Sequence, residues 1–404
     1  MKVRAIAPLA IGTFSIGTDN FIVAGILLSM SQDLGVSLAV AGLQVTVFSL
    51  VYALGSPIIA ALTQKFERKT LLVGSMVLFA AANVLCALAP GFGILLAGRV
   101  IAAGAAAIYG PIASSTAAQQ VEPEYRGRAI SIVTGGLTVS IVVGVPLGVV
   151  IGDLSSWRGA LWFVAALAAA AAVAIAANVQ RVAGMAGGPS VAERFRPVLT
   201  PAIGFTLLQS TLLVGSTFIV FTYLGELVDK MRIPAHLHGV FNVSTLLVVY
   251  GVCALAGTLF GGRSTDRIGS NATIKRAAII LVVAFGALSP ILWTLSGVAG
   301  FLGLLAVAGT WAFSGWGFSP AQFSRLAQIS PRHMHLTFAL NNSAIYLGAA
   351  LGASTGSFVV ANIGSDALGL FATAGELLGL ALVLLAIARP RLGVAAVPAA
   401  LPAN

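Results

Sequence analysis

Long apolar blocks separated by short polar connections repeat along this chain of 404 residues. Reading their limits directly, we place twelve blocks at 5–28, 38–63, 70–90, 93–117, 129–152, 159–179, 201–225, 239–262, 276–296, 298–320, 336–360 and 367–388. At ~1.5 Å per helical residue each can cross the ~30 Å hydrocarbon core of a bilayer. One connection is longer than the rest. Residues 181–200, RVAGMAGGPSVAERFRPVLT, are polar, contain Gly and Pro, and separate six blocks from six. The pattern predicts an N-terminal bundle at 1–180, a linker at 181–200, a second bundle at 201–390 and a tail at 391–404.

Composition narrows the class. Of all residues 58% are hydrophobic and 8% charged, where a soluble domain carries ~25% charged. So few charges cannot cover a water-facing surface of this size, which excludes a soluble enzyme, a disordered chain and a single-anchor protein. The expected fold is all-α and integral to the membrane, with twelve transmembrane helices in two pseudo-symmetric six-helix bundles. A formal charge of +10 suggests nucleic acid in a soluble domain; here the position of each charge relative to the bilayer decides instead. Of 22 Lys and Arg, 18 fall on the side of the N-terminus, among them Lys2, Arg4, Lys65, Arg68, Lys69, Arg263, Arg267, Arg325, Arg389 and Arg391. Arg158, Lys230 and Arg232 fall on the other side, and Arg99 lies within a span. The positive-inside rule then puts both termini in the cytoplasm, which an even number of spans requires. The first block follows Lys2 and Arg4 as a signal sequence would, but it is long and contains Asp19, so it reads as a retained span. Cys86 and Cys253 lie inside apolar runs and read as small hydrophobes.

The two sets of six repeat each other. AALTQKFERK (60–69) after the second block parallels GGRSTDRIGS (261–270) after the eighth, setting Gln64 opposite Asp266. EPEYRGRA (122–129) parallels SPRHMHLT (330–337). Gly144, Gly148 and Gly152 of the fifth block match Gly348, Gly352 and Gly356 of the eleventh. Glycine at every fourth residue makes a smooth helix stripe that a neighbouring helix can approach closely. Parallel six-helix repeats with a site between them at the midplane are a transporter architecture.

Seven stretches together resemble the major facilitator superfamily, and within it the twelve-span drug:proton antiporters that include multidrug, chloramphenicol and purine-type efflux proteins. They are GTDNFIVAGIL (17–27), VYALGSPIIAALTQKFERK (51–69), GRVIAAGAAAIYGP (98–111), PEYRGRA (123–129), GVPLG with the following WR (144–148, 157–158), GGRSTDRIG (261–269) and LNNSAIYLGAALG (340–352). The sequence departs from the family in the first basic loop, where Gln64 stands for the usual acid and Glu67 for the usual Gly. The resemblance implies a conformational latch at Arg263, Asp266 and Arg267, with Arg68 in the weaker first-half copy; simple topology-setting charge is the alternative. An Asp beside Arg residues and the N-terminus of the next helix can join two helices in one conformation and free them in another. It also implies that Gly144, Pro146, Gly148 and Gly152 pack closely at the interface between the halves, against the alternative of tight helix packing with no directional meaning.

Buried charge is the sharpest chemical signal, because an ionisable group inside a span is costly and marks an ion pathway or a pair. Asp19 lies ~14 residues into the first block and Arg99 ~7 into the fourth, which runs the opposite way, so both come ~10–15 Å from the outer surface and can meet. A carboxyl whose cation is present in one conformation only can bind a proton in one state and release it in the other. Asp19 and Arg99 are therefore the expected proton-coupling residues; a static pair and direct substrate contact are the alternatives. Glu376 in the twelfth block reads as structural, since the resemblance places that helix outside the cavity. Glu226 and Asp229, beside Tyr223, read as a solvated helix end or as an attractor of cationic substrates. His236/His238 and His333/His335 fall on opposite sides of the membrane and read as loop residues, so no metal site is expected.

Asn20, Gln44, Tyr52, Tyr109, Gln209, Asn242, Tyr250, Trp311, Asn342 and Tyr346 are the polar and aromatic candidates for a substrate cavity. An apolar cavity with few polar groups suits amphipathic molecules. The expected function is proton-coupled export of small amphipathic compounds by alternating access, with a metabolite such as a purine, nucleoside or sugar as the alternative cargo. A membrane-embedded enzyme is disfavoured, because no nucleophile-base set, metal cluster or phosphate loop stands in the sequence. The expected partners are a small-molecule substrate, protons and the lipid bilayer. No cofactor and no nucleic acid are expected, and the chain reads as a monomer of the cytoplasmic membrane.

Overall fold

A computed structural model describes residues 3–63, 65–122, 125–183, 191–331 and 334–388. Twelve helices in it are long and apolar enough to cross a membrane. They are α1 Val3–Asp33, α2 Leu38–Leu62, α3 Arg68–Ala87, α4 Phe92–Gln119, α5 Arg126–Leu154, α6 Trp157–Asn178, α7 Pro201–Phe221, α8 Val243–Ile268, α9 Ser270–Thr294, α10 Gly297–Ile329, α11 Met334–Asn362 and α12 Leu368–Ala388. The first and last helices open and close on one side of the molecule, called here the basic side; the other is the far side. Gln64, Arg332, His333, Arg389 and Arg391, residues 184–190 of the linker and the tail 391–404 lie outside the described residues.

Each apolar block became a helix, and several run past their apolar limits. Helix α1 extends to Asp33, α8 to Ile268 and α10 to Ile329. A helix backbone satisfies its own polar groups whatever its side chains are, so a change of side-chain polarity does not end it. Local chemistry does. Ser37 opens α2 by accepting from the Val40 amide at 3.2 Å, and Asn242 opens α8 by accepting from the Thr245 amide at 2.9 Å. Gly269, at φ +81°, ends α8 in a conformation that favours glycine.

Helices α1–α6 pack into one bundle and α7–α12 into the other, with α2 against α11 and α5 against α8 joining them. The glycine stripes correct the sequence reading. A Cβ at Gly144 would overlap Thr18 and Phe14, and one at Gly148 would overlap Ile22, while Gly152 faces Ile26, all on α1. Gly348, Gly352 and Gly356 face Thr211, Gly215 and Ile219 on α7 in the same way. The stripes therefore seat α5 on α1 and α11 on α7 within each half, and do not form the interface between the halves. Before Pro146, which has no amide to give to the preceding turn, the helix widens into a π-turn at Ser140–Gly144, closed by the Val145 amide on the Ser140 carbonyl.

Across the halves, contacts descend α2 from its far end. The Ser357 hydroxyl donates to the Ala39 carbonyl at 2.8 Å, Tyr223 lies against Gly42, and Ser354 donates to the Thr46 hydroxyl at 3.2 Å. Tyr52 and Tyr346 then stack with ring centroids 3.8 Å apart and planes at 26°. Beside this seam Phe21 of α1 packs on Phe218 and Phe221 of α7 and Trp316 of α10. The two halves are thus joined from the far end of α2 down to its middle.

Candidate functional site

Asp19 and Arg99 meet inside the first bundle. The Arg99 Nη1 donates to both Asp19 carboxylate oxygens at 2.8 Å, and both side chains are sealed, 0% and 1% exposed. The opposed directions of α1 and α4 put residues so far apart in sequence at one depth. Burying either charge alone would cost several kcal/mol, so the two persist there only as a pair. Removing either leaves the other stranded. The guanidinium also lies over the Phe48 ring of α2, 4.5 Å from its centroid, a cation–π contact that binds a third helix to the pair.

Helix α2 extends this site toward the second half. Gln44, Phe48 and Tyr52 recur every fourth residue and so share one helix face. Gln44 donates to the Met30 sulfur at 2.9 Å, Phe48 carries Arg99, and Tyr52 stacks on Tyr346 of α11. One helix turn therefore separates the buried ion pair from a ring stack that bridges the two halves.

The remaining cavity candidates divide. Asn20 is buried beside Asp19 on α1. Tyr109 donates to the Leu9 carbonyl at 2.7 Å and fixes α4 to α1 within its own half. Trp311 donates to Thr217 at 3.2 Å and Tyr250 accepts from Trp316 at 3.3 Å, in an aromatic cluster with Phe221 and Phe285. Asn242 is the cap of α8, its side chain held by the Thr245 amide and the His238 carbonyl. Asn342 is exposed, and its neighbour Asn341 is the buried one, accepting from Ser210 at 2.7 Å. Gln209 accepts from Arg325 at 2.8 Å. Arg325, which the sequence placed in a basic loop, is 0% exposed inside α10. Phe21, Phe48 and Trp316 were missed because an aromatic in an apolar helix carries no sign of whether it faces lipid or a neighbour.

Some of the other charges have plain partners and some do not. At the far side Arg158 pairs with Asp33, which also accepts from Trp157 at 3.1 Å, and Lys230 pairs with Asp366 at 2.8 Å. Arg263, Asp266 and Arg267 are exposed, and among the described residues Asp266 makes no ion pair. Glu67 accepts from Thr70 at 2.6 Å and lies 3.7 Å from Arg181, while the Arg68 amide donates to the Val182 carbonyl at 2.9 Å. The loop after α2 is thereby held to the end of α6. The His238 ring hydrogen-bonds the Ile233 carbonyl at 2.6 Å. Glu376 is fully buried on α12, with both carboxyl oxygens lacking a hydrogen-bond partner.

Twelve helices long and apolar enough to cross a membrane, in two bundles, with a buried ion pair in the first and a ring stack where the two meet, have the architecture of a secondary transporter. The sequence matches the Major Facilitator Superfamily family profile over residues 9–353, and the chain belongs to that superfamily. Among its relatives, the uncharacterized MFS-type transporter YbcL of Bacillus subtilis is 31% identical over 356 residues, 88% of each chain. A chloramphenicol resistance protein of Streptomyces lividans is 32% identical over 277 residues, 68% of this chain and 70% of its own. The crystal structure of a bacterial homolog to the human lysosomal transporter Spinster, inward-facing and occupied, matches with a TM-score of 0.73 over 97% of this chain and 98% of its own. At 16% identity that likeness shows the shared fold.

Proposed function

We propose that the protein exports small amphipathic compounds from the cytoplasm in exchange for protons, by alternating access between the halves 1–180 and 201–390 in the cytoplasmic membrane. The observation that carries this reading is the sealed Asp19–Arg99 pair one helix turn from the Tyr52–Tyr346 stack. A proton on Asp19 cancels the carboxylate that holds Arg99, and Arg99 rests on Phe48 of the helix whose next turn bears Tyr52. Protonation thus acts on a helix face that reaches the second half, and the joining of the halves toward the far side favours loading from the basic side. The apolar and aromatic lining around Phe21, Phe218 and Trp316 suits amphipathic cargo. The name of the Streptomyces relative supports a drug-like compound.

The test is efflux from proteoliposomes under an imposed proton gradient, with chloramphenicol as the first probe. Asp19→Asn, which has the shape of the protonated acid but cannot release a proton, is expected to lose gradient-driven transport while still binding the compound. Gradient-driven transport at the wild-type rate in that variant would remove Asp19 from the coupling.

A further inference from the structure

The second bundle holds a buried cation with no anion. Arg325 is 0% exposed between α7, α10 and α11, and no acidic group lies within ion-pair distance of it among the described residues. Its Nη1 donates to Gln209 at 2.8 Å, while Nε and Nη2 are buried without partners. The surrounding network is tightly made. Gln322 donates to the Thr206 carbonyl at 2.8 Å and to the Ser210 hydroxyl at 2.9 Å, and Ser210 donates to Asn341. What remains unsatisfied is weighted toward donors: Arg325 Nε and Nη2 and Gln209 Nε2, against the single acceptor Gln322 Oε1. Glu376, the buried acid of the same half, does not supply the charge. Its helix neighbours Gly375 and Gly379 lie against Ser216 and Leu213 of α7, one to two turns farther along than Gln209.

We propose that the free edge of Arg325 is a binding site for the carboxylate group of a small organic molecule. An unpaired charge in this setting costs several kcal/mol, and an anion removes that cost. The identity of the free atoms selects among anions. Nε and Nη2 form the side-on edge of the guanidinium, two parallel N–H groups matched to the two oxygens of a planar carboxylate. A halide offers a single acceptor centre that both N–H groups must share at bent angles, and a dianionic phosphate would leave a net negative charge buried. The Gln209 amide nitrogen adds a third donor beside the fork. Arg325 stands about one turn from the basic-side end of α10. The site is apart from Asp19 and Arg99, and binding there does not depend on the direction or coupling of transport.

The experiment is a melting-temperature titration of the purified full-length protein in detergent with sodium benzoate, and with sodium chloride or sodium phosphate at matched ionic strength. Benzoate is expected to raise the melting temperature saturably, and chloride and phosphate are not. Arg325→Gln is expected to melt no lower than the wild type without benzoate, because an unpaired buried charge is gone, and to show no benzoate response. Arg325→Lys keeps the charge but loses the fork, and its apparent affinity for benzoate should fall about tenfold or more. The absence of a saturable benzoate response in the wild type would overturn the proposal. So would an equal response in Arg325→Gln, an equal affinity in Arg325→Lys, or the same saturable response to chloride.

Discussion

Asp19 and Arg99 were legible one residue at a time because charge is so scarce in this chain. With 8% charged residues, one acid and one base deep in two antiparallel spans had few other partners, and their depths could be counted from the helix rise. Arg325 was not legible. It stands within one turn of a helix end, and whether such a residue turns outward to water or inward to Gln209 depends on the facing helices. Asn341 and Asn342 make the same point, since adjacent identical residues have opposite exposure. Glu226 gives a test at this scale. It lies on the short far-side helix Leu224–Asp229, where burial pushes its carboxyl above the ordinary 4.5, against the opposing pull of the Ser365 hydroxyl and Lys230. An acid with a raised value binds more protons folded than unfolded, so stability falls as pH rises through that interval. Between about pH 4 and pH 7 the melting temperature of the wild type should therefore decline relative to Glu226→Gln. Parallel curves for the two proteins would show that Glu226 does not titrate differently on folding.

At the scale of elements, the apolar blocks found every spanning helix, and the glycine spacing found the two helices with a smooth face. The partner of that face was misassigned. A stripe records that something approaches closely but not what: the facing residues, Phe14, Thr18 and Ile22 on α1 and Thr211, Gly215 and Ile219 on α7, form no stripe of their own. The geometry gives an expected cost. A Cβ at Gly352 would strike the Gly215 carbonyl of α7, which is backbone and cannot swing aside, whereas one at Gly74 meets open space. Gly352→Ala should destabilise by ~1–3 kcal/mol, the usual range for overpacking, and Gly74→Ala should leave the melting temperature in detergent within error of the wild type. A second element-scale feature is the far-side clasp of each bundle. The first joins Asp33 at the end of α1 to Arg158 at the start of α6; the second joins Lys230 after α7 to Asp366 before α12, with the signs exchanged. The repeat kept the clasp and not the charges, so a search for identical residues at one offset does not find it.

For the whole molecule, the orientation remains the quantity on which every assignment of a loop to a compartment depends. In a background with Cys86 and Cys253 replaced by Ala, Lys230→Cys should react with an impermeant maleimide added outside intact cells and Ile268→Cys should not. Reversed labelling would turn the transporter over. The sequence by itself determined the solvent, the number of spans, the division into two sets of six and the family. The family rests on the motif stretches; the rest follows from the hydrophobic count and the backbone's need to satisfy its own hydrogen bonds in lipid, which any single helix obeys without knowing its neighbours. Only the tertiary structure decided which faces meet: that α5 rests on α1, that Tyr52 reaches Tyr346, that Asn242 caps a helix, and that Arg325 lies buried beside Gln209 with no counter-charge among the described residues. In a membrane protein the apolar face that packs and the apolar face that meets lipid have the same composition, so the sequence cannot tell them apart and the contact between helices must.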